Sequence, residues 1–224
     1  MLKKLLMLIG VFTLMTTACT ISVRYEEGSG VVVEEARSVS GFDRVSFEGV
    51  GKLVVTQGSE ESLTIEAEDN ILPRIETRVR GRTLEIRFDT DRWENIIRPT
   101  RPIRFYLTVT DLESIFLSGL GDIEVQDIES ESMDVTLSGA GSITLSGSVE
   151  RQDVNVSGAG AYDAGDLMSE IADINLSGAG SATVWVTESL DVNITGLGSV
   201  RYYGDPELEQ SISGLGSIEA MGER

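Results

Sequence analysis

Histidine is absent from the 224 residues, cysteine occurs once and proline four times. Without histidine, the commonest general base, Cys/His nucleophile pairs and Cys/His zinc sites are all excluded. A single cysteine leaves the folded part with no internal disulfide. Basic residues are scarce too: 18 Lys and Arg face 37 Asp and Glu, a formal net charge of -19. A chain of that sign repels phosphate backbones, so nucleic acid is excluded as a partner. What remains is carboxylate, hydroxyl and arginine chemistry, and no cofactor is called for.

The first residues have the layout of an export signal. Lys3 and Lys4 precede an apolar stretch from Leu5 to Leu14, followed by Met15 and the small residues Thr16, Thr17 and Ala18. The stretch is too short to span a bilayer. The ending Thr16-Thr17-Ala18-Cys19 resembles a bacterial lipobox, in which the cysteine is acylated and becomes the new N-terminus; Thr16 stands where such motifs more often carry Leu. The only cysteine of the chain lies at this place, which favours lipidation of Cys19 over a structural thiol. Residues 1–18 are therefore expected to be a signal peptide and residues 19–40 a tether. The protein is expected in the bacterial cell envelope, lipid-anchored to the outer membrane because Thr20, not Asp, follows the cysteine.

Charge is unevenly spread along the chain. Residues 74–104 hold nine basic groups, all arginine, against five acidic ones, whereas residues 105–224 hold three against 21. Around the arginines, apolar residues alternate (Val79; Leu84, Ile86, Phe88; Ile103, Phe105, Leu107, Val109), so most of the arginines face solvent from strands. They form either a solvated face balanced by Glu76 and Glu85 or a docking strip for carboxylates and phosphates, which suits arginine's forked donors. Arg78, Arg80 and Arg87 are the candidate residues.

The dominant feature is a repeat. Ser/Thr-Gly-x-Gly occurs with its first glycine at Gly119, Gly139, Gly158, Gly178, Gly196 and Gly214, spaced 18 to 20 residues apart, and a degenerate copy, Glu48-Gly49-Val50-Gly51, lies 70 residues upstream of the first. A fixed period of this size means stacked units. Side chains alternate along a strand, and here two positions before the first glycine stand Leu117, Leu137, Val156, Leu176, Ile194 and Ile212. Four before stand Ile115, Val135, Val154, Ile174 and Val192, with Gln210 breaking the column. The fourth and sixth positions after it are mostly apolar. Between these columns lie polar ones: Asp134, Asp153, Asp173, Asp191 and Glu209, then Thr136, Asn155, Asn175 and Asn193. Each repeat reads as strand, glycine corner, strand and variable connector. The corner demands either positive φ or a close backbone approach. Near-constant period and matching columns favour this coil over a sandwich or barrel in which each Gly-x-Gly is a hairpin turn. A coil of this length has a perimeter of roughly 60 Å, enough for a narrow tube filled by Val, Ile and Leu.

Several ordered segments are similar to a known family, the auto-transporter adhesin head domain called the GIN domain. They are Phe42-Asp43-Arg44-Val45, Gly49-Val50-Gly51, Val54-Val55-Thr56-Gln57-Gly58, Asn70-Ile71-Leu72, Ile75-Glu76-Thr77 and Thr83-Leu84-Glu85-Ile86, followed by the Ser-Gly-x-Gly array. The resemblance covers residues 41–220, divided into an N-terminal part, 41–112, and the repeats, 113–220. It implies an all-β, right-handed parallel β-helix-like solenoid with coils of about 18 to 20 residues, on exported bacterial proteins that are often lipoproteins. It implies no activity and no catalytic residues.

The remaining motifs read as architecture. A phosphate-cradling glycine loop needs a helix N-terminus behind it, and none follows any copy. Gly119-Leu120-Gly121-Asp122 looks like a calcium nonapeptide, but its Asp is replaced in the other copies. The corner serines have no histidine to activate them and are expected to bond to corner backbone or to each other. Trp93 and Trp185 are read either as exposed binding aromatics or as core or cap residues, and Trp93, in the irregular stretch Asp91 to Pro102, is the better candidate for a surface contact or an end cap. The column Asp134, Asp153, Asp173, Asp191 stacks like charge on like charge, which is destabilising unless solvated or compensated by a cation or a basic partner. Two classes of function survive. One is a non-catalytic envelope-tethered binding or structural module, adhesin-like, whose partner is an envelope protein or glycan, with self-association between the arginine segment and the acidic column as a variant. The other is a carbohydrate-active enzyme on a β-helix, using paired carboxylates.

Overall fold

The structure, a computed structural model, describes residues 24–89 and 95–224. Among them the strands in chain order are β1 (Arg24–Glu27), β2 (Val32–Arg37), β3 (Arg44–Glu48), β4 (Val50–Gln57), β5 (Ser62–Glu68), β6 (Ile75–Arg80), β7 (Thr83–Phe88), β8 (Asn95–Arg98) and β9 (Arg104–Val109). The array follows as β10 (Ser114–Leu117), β11 (Leu120–Leu137), β12 (Ser142–Val156), β13 (Ala161–Leu176), β14 (Ser181–Ile194), β15 (Leu197–Tyr203), β16 (Glu207–Ile212) and β17 (Leu215–Ala220). The only helical piece among the described residues is one 3-10 turn, Leu72–Arg74.

These strands form a parallel β-solenoid. The segment before each glycine corner belongs to a first sheet, ordered β6-β7-β3-β10-β11-β12-β13-β14-β16, and the segment after it to a second, ordered β2-β5-β9-β4-β11-β12-β13-β14-β15-β17. The register is that of the sequence columns: Val135 pairs with Val154, Val154 with Ile174 and Ile174 with Val192. All four are buried, as are Leu117, Leu137, Val156, Leu176 and Ile194 beside them. Alternation drives the fold, because each apolar residue at an even step falls on the tube's inside and stacks on its own kind about 4.8 Å away.

The connectors are more regular than their sequences. Ile128 pairs with Gly147, Gly147 with Leu167, and Ser169 with Val186, so these segments make a short third side. That is why β11 to β14 run unbroken for 14 to 18 residues through the bend. Register shifts between Val125 and Ile128 and between Thr144 and Ser146 absorb the unequal repeat lengths. Inside this corner a polar chain is buried: Tyr162 Oη donates to Gln152 Oε1 at 2.9 Å, and Gln152 Nε2 donates to Ser169 Oγ at 2.7 Å.

At the corners, close approach is the reason for glycine. None of the six first glycines has positive φ. A Cβ on Gly139 would instead lie 2.1 Å from the carbonyl oxygen of Gly119, and one on Gly158 would lie 2.0 Å from that of Gly139. These are the carbonyls that accept from Ala140 and Ala159 of the following coil.

The degenerate copy is a true corner. Val50 pairs with Leu120 and Gly51 with Gly121, so Glu48–Gly51 stacks directly under Ser118–Gly121. The intervening residues make an excursion: β7 and β9 add one more layer beneath β3 and β4, and β6, β5 and β2 cover that end with antiparallel pairings. Within it Phe47 meets Phe105 edge to face, centroids 5.2 Å apart. Part of the expected tether is folded onto this end, with β1 on β8 and β2 on β5. The fully buried Glu68 carboxylate clasps it, accepting from Gly30 N at 2.7 Å, Thr100 N at 2.9 Å and the Thr100 hydroxyl. Burial pushes this carboxyl up, but the bonds from Thr100, Gly30 and Arg101 outweigh it and hold it below the usual carboxylate range.

Candidate functional site

The outward face of the first sheet carries the candidate residues. One column runs through paired positions Arg80, Thr83, Arg44, Ser114, Asp134, Asp153, Asp173, Asp191 and Glu209. The next runs Arg78, Glu85, Ser46, Phe116, Thr136, Asn155, Asn175, Asn193 and Ser211. The arginine segment and the acidic column, two separate stretches of sequence, therefore lie on one continuous surface. Their juxtaposition depends on β6 and β7 returning beneath β3 across the excursion, for which the sequence carries no periodic signal.

Within the array the face is a grid of short polar groups: Asp153, Asn155 and Ser157 in one coil, Asp173, Asn175 and Ser177 in the next, spaced about 4.8 Å between coils and about 6.6 Å along the strand. Asp153 is the most crowded acid. Burial first, then the charges of Asp134 and Asp173, push its carboxyl up, while Asn155 and Arg151 pull the other way. Asn155 Nδ2 donates to Asp153 Oδ1 at 2.8 Å, and Arg151 Nη1 lies 3.2 Å from Asp173 Oδ2. Arg151 is the one basic residue of the described array that meets this column. A shallow cleft of about 250 Å³ across three successive coils is lined by Asp173, Asn175, Asp191, Asn193 and Ser211. Among the described residues no three acidic side chains converge as a metal cage.

The arginine end is different. Arg87 donates to Glu76 through Nε at 3.2 Å and Nη2 at 3.1 Å, and the bonds to Glu76 raise its basicity further. Arg78 reaches Glu76 at 3.3 Å and Arg80 reaches Glu85 at 3.7 Å. Arg44 and Arg82 pair with Asp43 and Glu113. This end is balanced within itself, while the array end is acidic.

Other candidates fall elsewhere. Ser138 Oγ reaches the Leu117 carbonyl at 3.5 Å, the backbone contact expected of corner hydroxyls. Asp122 accepts from Ser142 N and Oγ of the next coil rather than facing a calcium loop. Trp185 and Tyr203 lie under the Arg224 guanidinium, which also pairs with Asp166. Cys19 and Trp93 lie outside the described residues. Sequence reasoning missed the Glu68 clasp and the Gln152–Tyr162–Ser169 chain. The one available signal was Tyr162, a polar-tipped side chain standing in the column of Ile123 and Ile143.

A family model described as "Putative auto-transporter adhesin, head GIN domain" matches residues 41–206. Among solved structures, the chain is similar to a "putative adhesin" from Bacteroides fragilis at 24% identity and a TM-score of 0.73, covering 88% of this chain and 100% of that one. A "putative lipid binding protein" from Parabacteroides distasonis is 23% identical with a TM-score of 0.51, covering 88% and 100%. A "putative adhesin" from the same species is 19% identical with a TM-score of 0.51, again covering 88% and 100%. At these identities the likeness is one of fold. No curated protein matches the chain.

Proposed function

The chain belongs to the family of the auto-transporter adhesin head GIN domain, and on that premise we propose that it is a non-catalytic, adhesin-like binding module of the bacterial envelope, tethered through a lipid on Cys19. Its binding surface is the polar grid of the first sheet, centred on Asp153, Asp173 and Asp191. The observation that carries this reading is the registered acidic column, which meets a single arginine of its own array. Rigid like charges at about 4.8 Å are costly unless a partner relieves them, and short Asp, Asn and Ser side chains present hydrogen-bonding groups with little entropy to lose. The partner it fits is an envelope protein or glycan with basic or hydroxyl groups. The absence of histidine and the even spacing of the acids along the column support a role without catalysis.

The test is capture of envelope proteins and glycans by the purified protein, by a D153N/D173N/D191N variant and by an R78E/R80E/R87E variant. Binding lost in the first and kept in the second is the expected result. Equal capture by all three would remove the acidic grid from the interface.

A further inference from the structure

The last coils of the array carry a second outward column, away from the polar grid. The seventh position after the first glycine is small or polar earlier in the array, as Gln126, Ser146 and Gly165, and becomes Trp185, Tyr203 and Met221 at its end. Trp185 pairs with Tyr203, and Met221 follows because Ala220 pairs with Tyr202. Val184 and Val186 on either side of Trp185 are buried, so by alternation the indole faces outward and the Tyr203 ring lies on the same face. The core has no need of these rings.

The segment after β17 folds back over them. Met221 N donates to the Tyr202 carbonyl at 2.8 Å, Gly204 N donates to the Gly222 carbonyl at 3.0 Å, and Gly222 reverses the chain with φ of 89°. The Arg224 guanidinium then lies 5.9 Å from the Trp185 ring centroid and 5.3 Å from that of Tyr203. It also donates to the Gly165 carbonyl and to the Asp166 carboxylate. Both come from the register shift between Ala164 and Met168 in β13, where extra residues bulge out of the ladder. Glycine at 165 leaves the room for this, since a Cβ there would lie 3.3 Å from Arg224 Nη1 and 3.4 Å from Asp163 Oδ1. Two π faces, a carboxylate and a carbonyl together are what recognises a guanidinium. Beside it a cleft of about 250 Å³ stays open, bounded by Asp163, Thr183, Arg201, Tyr203 and Met221.

We propose that this platform is a binding site for an arginine side chain of a partner protein, and that Arg224 is its built-in occupant, displaced when the partner docks. Arg224 is suited to leave. Its side chain is 37% exposed and that of Asp166 is 66% exposed, so water screens their ion pair. Arginine is the ligand because a planar guanidinium lies flat on the rings while its edge donors reach Asp166 and the Gly165 carbonyl. With Arg224 in place, Asp163 and Asp166 are matched by Arg201 and Arg224; without it one acid is left over, and that charge draws in the next cation. Occupation from within lowers the apparent affinity for the partner in proportion to the fraction of open sites. The site lies off the first sheet and is independent of what the polar grid binds.

Trp185 reports on its own site once Trp93, the other tryptophan, is replaced. The whole chain carrying Trp93→Phe, with and without Arg224→Gln, is titrated with N-acetyl-arginine amide, and with the citrulline analogue as an uncharged probe of the same shape. A saturable change in Trp185 fluorescence is expected for the arginine probe in the Arg224→Gln form, about tenfold tighter than with Arg224 present, and none for citrulline. Adding Asp166→Asn or Tyr203→Leu, each checked for unchanged circular dichroism, is expected to weaken it about tenfold. No saturable change in the Arg224→Gln form overturns the proposal. So does equal affinity with and without Arg224, an equal response to citrulline, or binding that Asp166→Asn leaves unchanged.

Discussion

At the N-terminal end of the first sheet Arg78, Arg80 and Arg87 each meet a glutamate of their own hairpin, whereas in the array Asp134, Asp153, Asp173 and Asp191 meet one another and a single arginine. The contrast follows from repetition. A repeated unit stacked in register must place like on like, which suits Val on Val and Asn on Asn but sets charge against equal charge. The non-repeating end is free to place opposite charges opposite. It also covers the last apolar layer with antiparallel strands, where the array ends in an exposed Ile212 and Leu215. A surface that is costly to keep and is found in the repeating half alone points to use, which is why the acidic grid and not the arginine segment is taken as the binding face.

Glycine serves the two regions for different reasons, and its replacement is expected to have the largest effect. Gly158 in the array has no positive φ but faces the Gly139 carbonyl, while Gly81, in the β6–β7 turn, has φ of 60° and open space around its missing Cβ. Gly158→Ala is expected to cost about 3 kcal/mol, since backbone must move. Gly81→Ala is expected to cost about 1 kcal/mol, the ordinary penalty of a left-handed residue. Urea midpoints measure both, and equal losses would contradict the close-approach account of the corners.

The second prediction concerns the folded arm, which has no counterpart in the array. Glu68, held below the usual carboxylate range, contributes stability that is present above its unfolded value near 4.5 and is lost as pH falls through the lower folded value. Glu68→Gln at neutral pH, and the wild type at acid pH, are both expected to expose residues 24–37 to limited proteolysis while the array stays resistant. Cleavage of the array at the same rate would show that the clasp is not local.

The smallest effect is expected at Asp153, whose carboxyl is pushed up. A raised folded value means the ionised form costs stability at neutral pH, and that cost disappears as pH falls through it. Asp153→Asn is therefore expected to raise the melting temperature by about a degree or two at pH 7, with the gap closing on acidification. An unchanged or lower melting temperature at pH 7 would mean that the column is already fully screened.

Much of this molecule is legible in its sequence. The columns headed by Leu117 and Ile115, the glycine corners and the coil length all come from a period that a linear reading detects, since translation by one repeat is also translation along the solenoid. The acidic column was visible for the same reason. What the periodicity could not reach was everything built by non-repeating sequence. The degenerate Glu48–Gly51 corner sits one layer from Ser118–Gly121 although 70 residues separate them. The arm is clasped by a glutamate far along the chain, and the connectors pair despite their dissimilar residues.

The class of fold, the residues of the core and the order of the outward columns thus follow from the chain's own pattern, because alternation and period are local properties. That the arginine segment and the acidic column share one face, and that the corners need glycine for contact and not for φ, came from the three-dimensional arrangement alone. Each of these rests on which distant strands lie side by side, and that is set by the packing of the excursion under the first coil, a long-range contact that no local pattern encodes.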